Sequence, residues 1–117
     1  MASSLGEFEQ LILLALVRLG DEAYGVSIHQ EIVRRAGREV TVASVYKTLE
    51  RLETKGLAVS TLGEPTAERG GRRKKYFRIQ PAGRRALAQA LASLNRMTHG
   101  LSLDPGLATR PLRRDER

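Results

Sequence analysis

Between Leu57 and Gln80 the apolar residues of this chain change their spacing, and on either side of that window the spacing is helical. Upstream, and again from Pro81, they recur every three or four residues, the period of a helix with a buried face. Inside the window, "LAVSTLGE" (57–64) and "KKYFRIQ" (74–80) read as short strands, with Phe77 and Ile79 facing one way and Tyr76 and Arg78 the other. The "PTAERGGRR" between them is turn chemistry, so the strands form one hairpin with a long basic tip. One hairpin set among helices makes the chain α+β and mostly helical.

Three helices are expected before the hairpin. In "SLGEFEQLILLALVRLG" (4–20), Ser4 stands at capping-box spacing from Glu7, which predicts a helix from about Leu5 to Leu19, stopped by Gly20. It is apolar on nearly every side from Leu11 to Val17, so two of its faces need cover, and a second subunit is one source. "YGVSIHQEIVRRAG" (24–37) predicts a helix from Tyr24 to Ala36 with Ile28 and Ile32 inside. His29 lies beside that stripe, where a half-buried, hydrogen-bonded imidazole is expected rather than a ligand. "TVASVYKTLERLETKG" (41–56) has Thr41 placed as N-cap and Gly56 as C′ residue. Val42, Val45, Leu49 and Leu52 form its core stripe. Ala43, Lys47, Arg51 and Thr54 fall opposite, with Ser44 at the edge. After the hairpin, Pro81 opens a last helix to about His99, with a seam of Leu87, Leu91, Leu94 and Thr98.

At 117 residues the chain is one domain with a modest core. It has no cysteine, which excludes disulfides and thiolate metal sites. His29 and His99 have no carboxylate constellation, so neither a metal, a cofactor nor an enzymatic site is expected. The apolar run Leu11–Val17 is far shorter than the ~20 residues of a membrane span, and it follows Glu7 and Glu9 rather than a basic stretch. A cytoplasmic protein is expected. The formal charge of +7 is uneven: residues 1–40 carry four basic groups against six acidic, residues 61–80 six against two, and residues 81–100 three against none. A basic excess gathered in the second half of a small domain points to a polyanionic partner.

Three helices, a basic-tipped hairpin and a closing helix make a winged helix-turn-helix. The chain resembles the short form of the PadR-type transcriptional regulators, through "LGEFEQLILLALVRLGDEAYGVSIHQEI", "SVYKTLERLETKGLA" and "EPTAERGGRRKKYFRIQPAGRRAL". The likeness covers roughly residues 5–98. It departs at Pro81, where threonine is common, and in lacking a tryptophan in the last helix. The resemblance implies a DNA-binding domain over 1–80, a dimerisation helix over 81–99 and a tail over 100–117, expected to be disordered.

In such a fold the third helix enters the major groove and the hairpin reaches the flanking backbone or minor groove. Base reading is then expected from Ala43, Ser44 and Lys47. Backbone contacts are expected from Tyr24, Thr41, Tyr46, Arg51, Arg69, Arg72, Arg73 and Lys74. Tyr46 has a second, compatible role in packing against the hairpin. The exposed apolar faces, Leu11 and Leu14 on the first helix and Leu87, Leu91 and Leu94 on the last, are expected to join two copies, and the resemblance implies the same. A two-fold dimer implies a pseudo-palindromic operator of double-stranded DNA. The expected activity is repression, and relatives of this kind are often released by a small-molecule effector, which this sequence leaves unnamed. The competing readings are a winged-helix module that binds nucleic acid without specificity and a protein-interaction adaptor.

Overall fold

The computed structural model describes residues 5–65 and 73–103. Its elements are α1 (Glu7–Leu19), a 3₁₀ turn (Gly20–Glu22), α2 (Gly25–Glu31) widening into a π turn (Ile32–Ala36), α3 (Val42–Thr54), β1 (Ala58–Pro65), β2 (Arg73–Ile79) and α4 (Pro81–Thr98). This is the mostly helical winged arrangement that the change of period predicts. Among the described residues no helix is long and apolar enough to cross a membrane.

The first helix starts later than its sequence suggests. Gly6 is the N-cap, and the Glu9 carboxylate accepts the Gly6 N–H at 2.8 Å. Ser4 lies outside the described residues. Glu9 also accepts from Lys55 Nζ at 2.8 Å, so the end of α3 selects the Gly6–Glu9 register. The second helix ends in the π turn, and Gly37 closes it at φ +67°. Beside that turn the Arg35 guanidinium, 2.6 Å from Glu31, holds the Glu31 carboxyl below its ordinary range against the opposing effect of burial. His29 is half-buried, and its Nε2 lies 2.7 Å from the Val40 carbonyl, which it meets as donor.

Thr41 caps α3 as expected: its Oγ1 accepts the Ser44 N–H at 3.0 Å, satisfying an orphan donor of the first turn. Val45, Leu49 and Leu52 are fully buried, and Thr48 joins them. Val42 does not belong to this stripe, being 38% exposed. It is the first residue of the helix and projects past the end of the core. Around the α3 stripe close Ile12, Leu13 and Leu16 of α1, Ile28 and Ile32, Phe77 and Ile79 of β2, and Leu87 of α4.

The hairpin is antiparallel, pairing Ala58 with Ile79, Ser60 with Phe77 and Leu62 with Lys75, and its register shifts between Leu62 and Pro65. Phe77 N–H also donates to the Ala23 carbonyl at 2.8 Å, and Tyr24 forms an isolated bridge to Tyr76. The connection between α1 and α2 thereby acts as a third edge of the sheet.

Pro81 opens α4, and Gly83 fixes its angle. A side-chain carbon at Gly83 would run into the Leu57 carbonyl and sit 2.9 Å from Ile79 Cγ1. This contact sets the first turns of α4 onto their own domain and buries Leu87 there. Leu87 therefore differs from the expected seam: it is a core residue of its own chain. From Leu91 onward every described residue of α4 is exposed, with Leu94 at 53% and Met97 at 74%.

Candidate nucleic-acid interface

The outward face of α3 carries Ala43, Lys47, Arg51 and Thr54, all exposed. Ser44 is half-buried, and its hydroxyl donates to the Thr41 carbonyl at 2.8 Å. Its proton is thus committed to the start of the helix, while its lone pairs remain. Ala43 and Lys47 bracket it on the open side.

Tyr46 leaves α3 toward α2, not toward the hairpin. Its phenol lies across Gly25, where any Cβ would collide with the ring oxygen. Tyr24, one residue earlier, is the N-cap of α2 without a capping side chain; the Ser27 hydroxyl accepts its N–H at 2.9 Å. The Tyr24 ring meets Tyr76 edge-on, centroids 5.5 Å apart at 65°, and Lys74 Nζ lies 4.3 Å from its centroid. The N-terminal half of α3 and the base of the wing therefore converge on one dipeptide, Tyr24–Gly25. Arg73 opens β2 and is exposed. Arg69 and Arg72 lie outside the described residues.

Ion pairing divides the basic residues. Arg34 and Arg35 pair with Glu31, Arg38 with Glu7, Lys55 with Glu9, and Arg78 with Asp21. Among the described residues, Lys47 and Arg51 of α3 and Arg73, Lys74 and Lys75 of β2 take part in no salt bridge, and neither do Arg18 of α1 and Arg84, Arg85 and Arg96 of α4. Of the two acidic residues of α3, Glu53 accepts from the Ser60 hydroxyl at 2.6 Å, tying the helix to β1, while Glu50 is exposed at the edge of this face. Cations left without carboxylate partners can meet an external anion without first breaking an internal pair.

Leu11 and Leu14 are half-buried and line a cavity of about 290 Å³ with Ala15, Ile32 and Ala36 and with the charged Arg18, Glu31 and Arg35. Leu91 and Leu94 stand exposed on the far half of α4. Among the described residues no group of histidines and carboxylates is arranged to hold a metal ion.

Two glycines shape this face: the sequence places Gly25 on the inner stripe of α2 without naming what packs on it, and assigns Gly63 no role. Gly25 makes room for Tyr46, and Gly63 for Tyr76, whose Cε1 would lie 2.7 Å from an added Cβ. The signal for Gly25 was present: a glycine on the inner stripe of a helix asks what packs against it.

Residues 13–89 match the model of the Transcriptional regulator PadR-like family. The chain is 35% identical over 77 residues to the transcriptional regulator Rv3488 of Mycobacterium tuberculosis, across 66% of this chain and 67% of that protein. A PadR family transcription regulator from Clostridium difficile R20291 superposes with a TM-score of 0.64 at 25% identity, covering 80% of this chain and 95% of that one. Bacillus subtilis PadR, solved in complex with operator DNA, shares the fold at a TM-score of 0.60 and 21% identity, over 72% of this chain and 47% of its own. The two-thirds of the sequence that matches the family model includes α2, α3, both strands and the docked start of α4, and the chain belongs to the PadR-like family of transcriptional regulators.

Proposed function

We propose that the chain is a homodimeric, sequence-specific DNA-binding regulator that represses by occluding a promoter and is released by a small-molecule effector. The observation that carries this is the gathering of Lys47 and Arg51 on the outer face of α3 with Arg73, Lys74 and Lys75 at the start of β2, all without a salt bridge among the described residues. Lying in a major groove, α3 reads bases through Ala43, Ser44 and Lys47. Thr41, Tyr46, Arg51, Arg69, Arg72, Arg73 and Lys74 hold the backbone and set register. Residues 1–80 are the DNA-binding unit and 81–99 the dimerisation helix, with Leu91 and Leu94 meeting Leu11 and Leu14 of a second copy. Leu87 is left out of that interface by its burial. The cavity beside Leu11 and Leu14, lined also by Arg18, Glu31 and Arg35, is where an effector of modest size would bias the dimer.

Selection of duplexes from a random pool by the purified protein, followed by sequencing, tests the reading. The expected product is a two-fold symmetric site preferred at least ~10³-fold over random duplex at physiological salt. A flat preference, or a monomer with no affinity for any duplex at low ionic strength, refutes it.

A further inference from the structure

Given DNA binding as proposed, we infer that Tyr24 acts through its ring and not its hydroxyl: with Tyr76 it forms an aromatic seat that aims the wing and holds the Lys74 ammonium in place. Four contacts build the seat. Tyr76 lies edge-on to Tyr24, 5.5 Å between centroids. Lys74, two residues before Tyr76 and on the same face of β2, places Nζ 4.3 Å from the Tyr24 centroid. Behind Tyr76 the missing side chain of Gly63 provides a recess, since an added Cβ would come within 2.7 Å of the ring. The Phe77 N–H bond to the Ala23 carbonyl, 2.8 Å long, straps the strand to the residue just before Tyr24.

The face makes physical sense as an aiming device. The inner side of β2 is fixed by the core through Phe77 and Ile79, but the core ends there: Leu62 and Lys75, the next pair outward, are exposed. Any restraint on the outer part of the hairpin comes from the other face, where Lys74, Tyr76 and Arg78 alternate. Tyr76 is trapped between Gly63 and Tyr24, so the hairpin cannot tilt about its base without separating the rings. A lysine held over an aromatic face keeps its charge outward while giving up little further side-chain freedom when a phosphate arrives. Tyr24 also adjoins Gly25, on which Tyr46 of α3 rests, so the wing is referenced to the reading helix through one rigid point.

The test measures binding of a fluorescein-labelled mixed-sequence duplex across a series of salt concentrations, for the wild type, Y24F, Y24L, G63A, K74Q and the Y24L/K74Q pair. Y24F retains wild-type affinity and slope. Y24L and G63A, which leave every cation in place, each weaken binding roughly fivefold, the scale of an aromatic pair with its cation–π partner. Their log–log salt slopes fall by up to about 0.9 per wing, because one phosphate contact is lost. K74Q gives the same fall, and adding it to Y24L lowers the slope no further. A merely structural tyrosine would lower the melting temperature and leave the slope alone. Gly63 is not in a positive-φ conformation, so alanine is permitted by the backbone, and G63A reports on the seat even where Y24L fails to fold.

Loss in Y24F equal to that in Y24L assigns the contact to the hydroxyl and overturns the inference. So do unchanged slopes in both Y24L and G63A, or a fully additive double variant. Absence of binding by the wild type at low salt is a separate outcome, and it removes the DNA-binding reading along with the seat.

Discussion

Replacing Glu9 with glutamine isolates a polar tie that spans the domain. The Glu9 carboxylate is buried and accepts two hydrogen bonds, from the Gly6 N–H and from Lys55 Nζ, each 2.8 Å. Glutamine has the same shape and keeps one acceptor oxygen, so the cap of α1 survives and the charged bond to Lys55 is lost. A hydrogen bond to a charged group contributes about 1.5–3 kcal/mol net. The Lys55 side chain is 27% exposed, so its ammonium regains water once unpaired. The loss therefore falls at the lower end, about 1.5–2 kcal/mol, or roughly 6–8 °C in Tm for a domain of this size.

The pH dependence gives the sharper test. Burial alone would raise the Glu9 carboxyl, but the Lys55 hydrogen bond, the Gly6 N–H and the charges of Lys55 and Arg51 outweigh it and hold the group below its ordinary 4.5. A depressed folded value means that the unfolded chain takes up the proton first as pH falls. Glu9 thus contributes its full stability above about pH 4.5 and loses it as pH drops through the lower folded value. Urea unfolding of wild type and E9Q from neutral to acid pH should show a gap that is constant near neutrality and closes in that window. A gap undiminished in acid, or absent at pH 7, refutes the tie.

Alanine at Gly83 places a methyl group against the Leu57 carbonyl and Ile79. It should cost about 1–3 kcal/mol by overpacking, read as a lower calorimetric Tm. Glutamate at Leu94 should convert a dimer into a monomer by sedimentation equilibrium while leaving the Tm of the monomeric domain nearly unchanged, because Leu94 is largely exposed. Alanine at Lys47 should relax base preference at one position by about 1–3 kcal/mol, whereas alanine at Arg73 should weaken binding to all sequences alike and reduce the salt slope by about 1.

What the sequence made legible is what local chemistry decides. The switch of period at Leu57, the Thr41 cap, the glycines after α2 and α3 and the proline opening α4 each act within a few residues, and each appears where expected. What was illegible needed a distant partner. A glutamate three residues after a possible N-cap occurs twice at the start of the chain, at Ser4–Glu7 and at Gly6–Glu9, and spacing alone cannot choose. Lys55, forty-six residues away, chooses. Packing against the hairpin is the second role expected of Tyr46 beside a backbone contact, because a helix flank admits either neighbour; the gap at Gly25 lays its ring against α2. Leu87 and Leu91 share one stripe in the sequence, yet Gly83 brings only the first half of α4 close enough to bury its leucine. The wing residues Arg69 and Arg72 fall outside the described segment, so that part of the site stands on the sequence alone.

The tethers around α3 explain how a small core can present a helix firmly. His29 bonds the Val40 carbonyl just before the helix, Thr41 caps it, and Tyr46 lies on Gly25 at its first turns. Glu53 reaches Ser60 and Lys55 reaches Glu9 at its far end. Every one of these contacts leaves from the inner face, the flanks or the ends. The outer face, with Ala43, Lys47 and Arg51, makes none among the described residues. A helix needing only solvation on that side would gain from i,i+4 pairs across it, and Lys47 and Arg51, four apart and both cationic, instead repel slightly. Bringing two like charges onto an otherwise tethered helix is unfavourable in isolation and becomes favourable only beside a line of negative charge with matching rise. Substituting Lys47 with glutamate should therefore stabilise the free protein by a few tenths of a kcal/mol through a new pair with Arg51, while abolishing most affinity for duplex. A variant that gained stability and kept its DNA affinity would remove the reason for the bare cationic face.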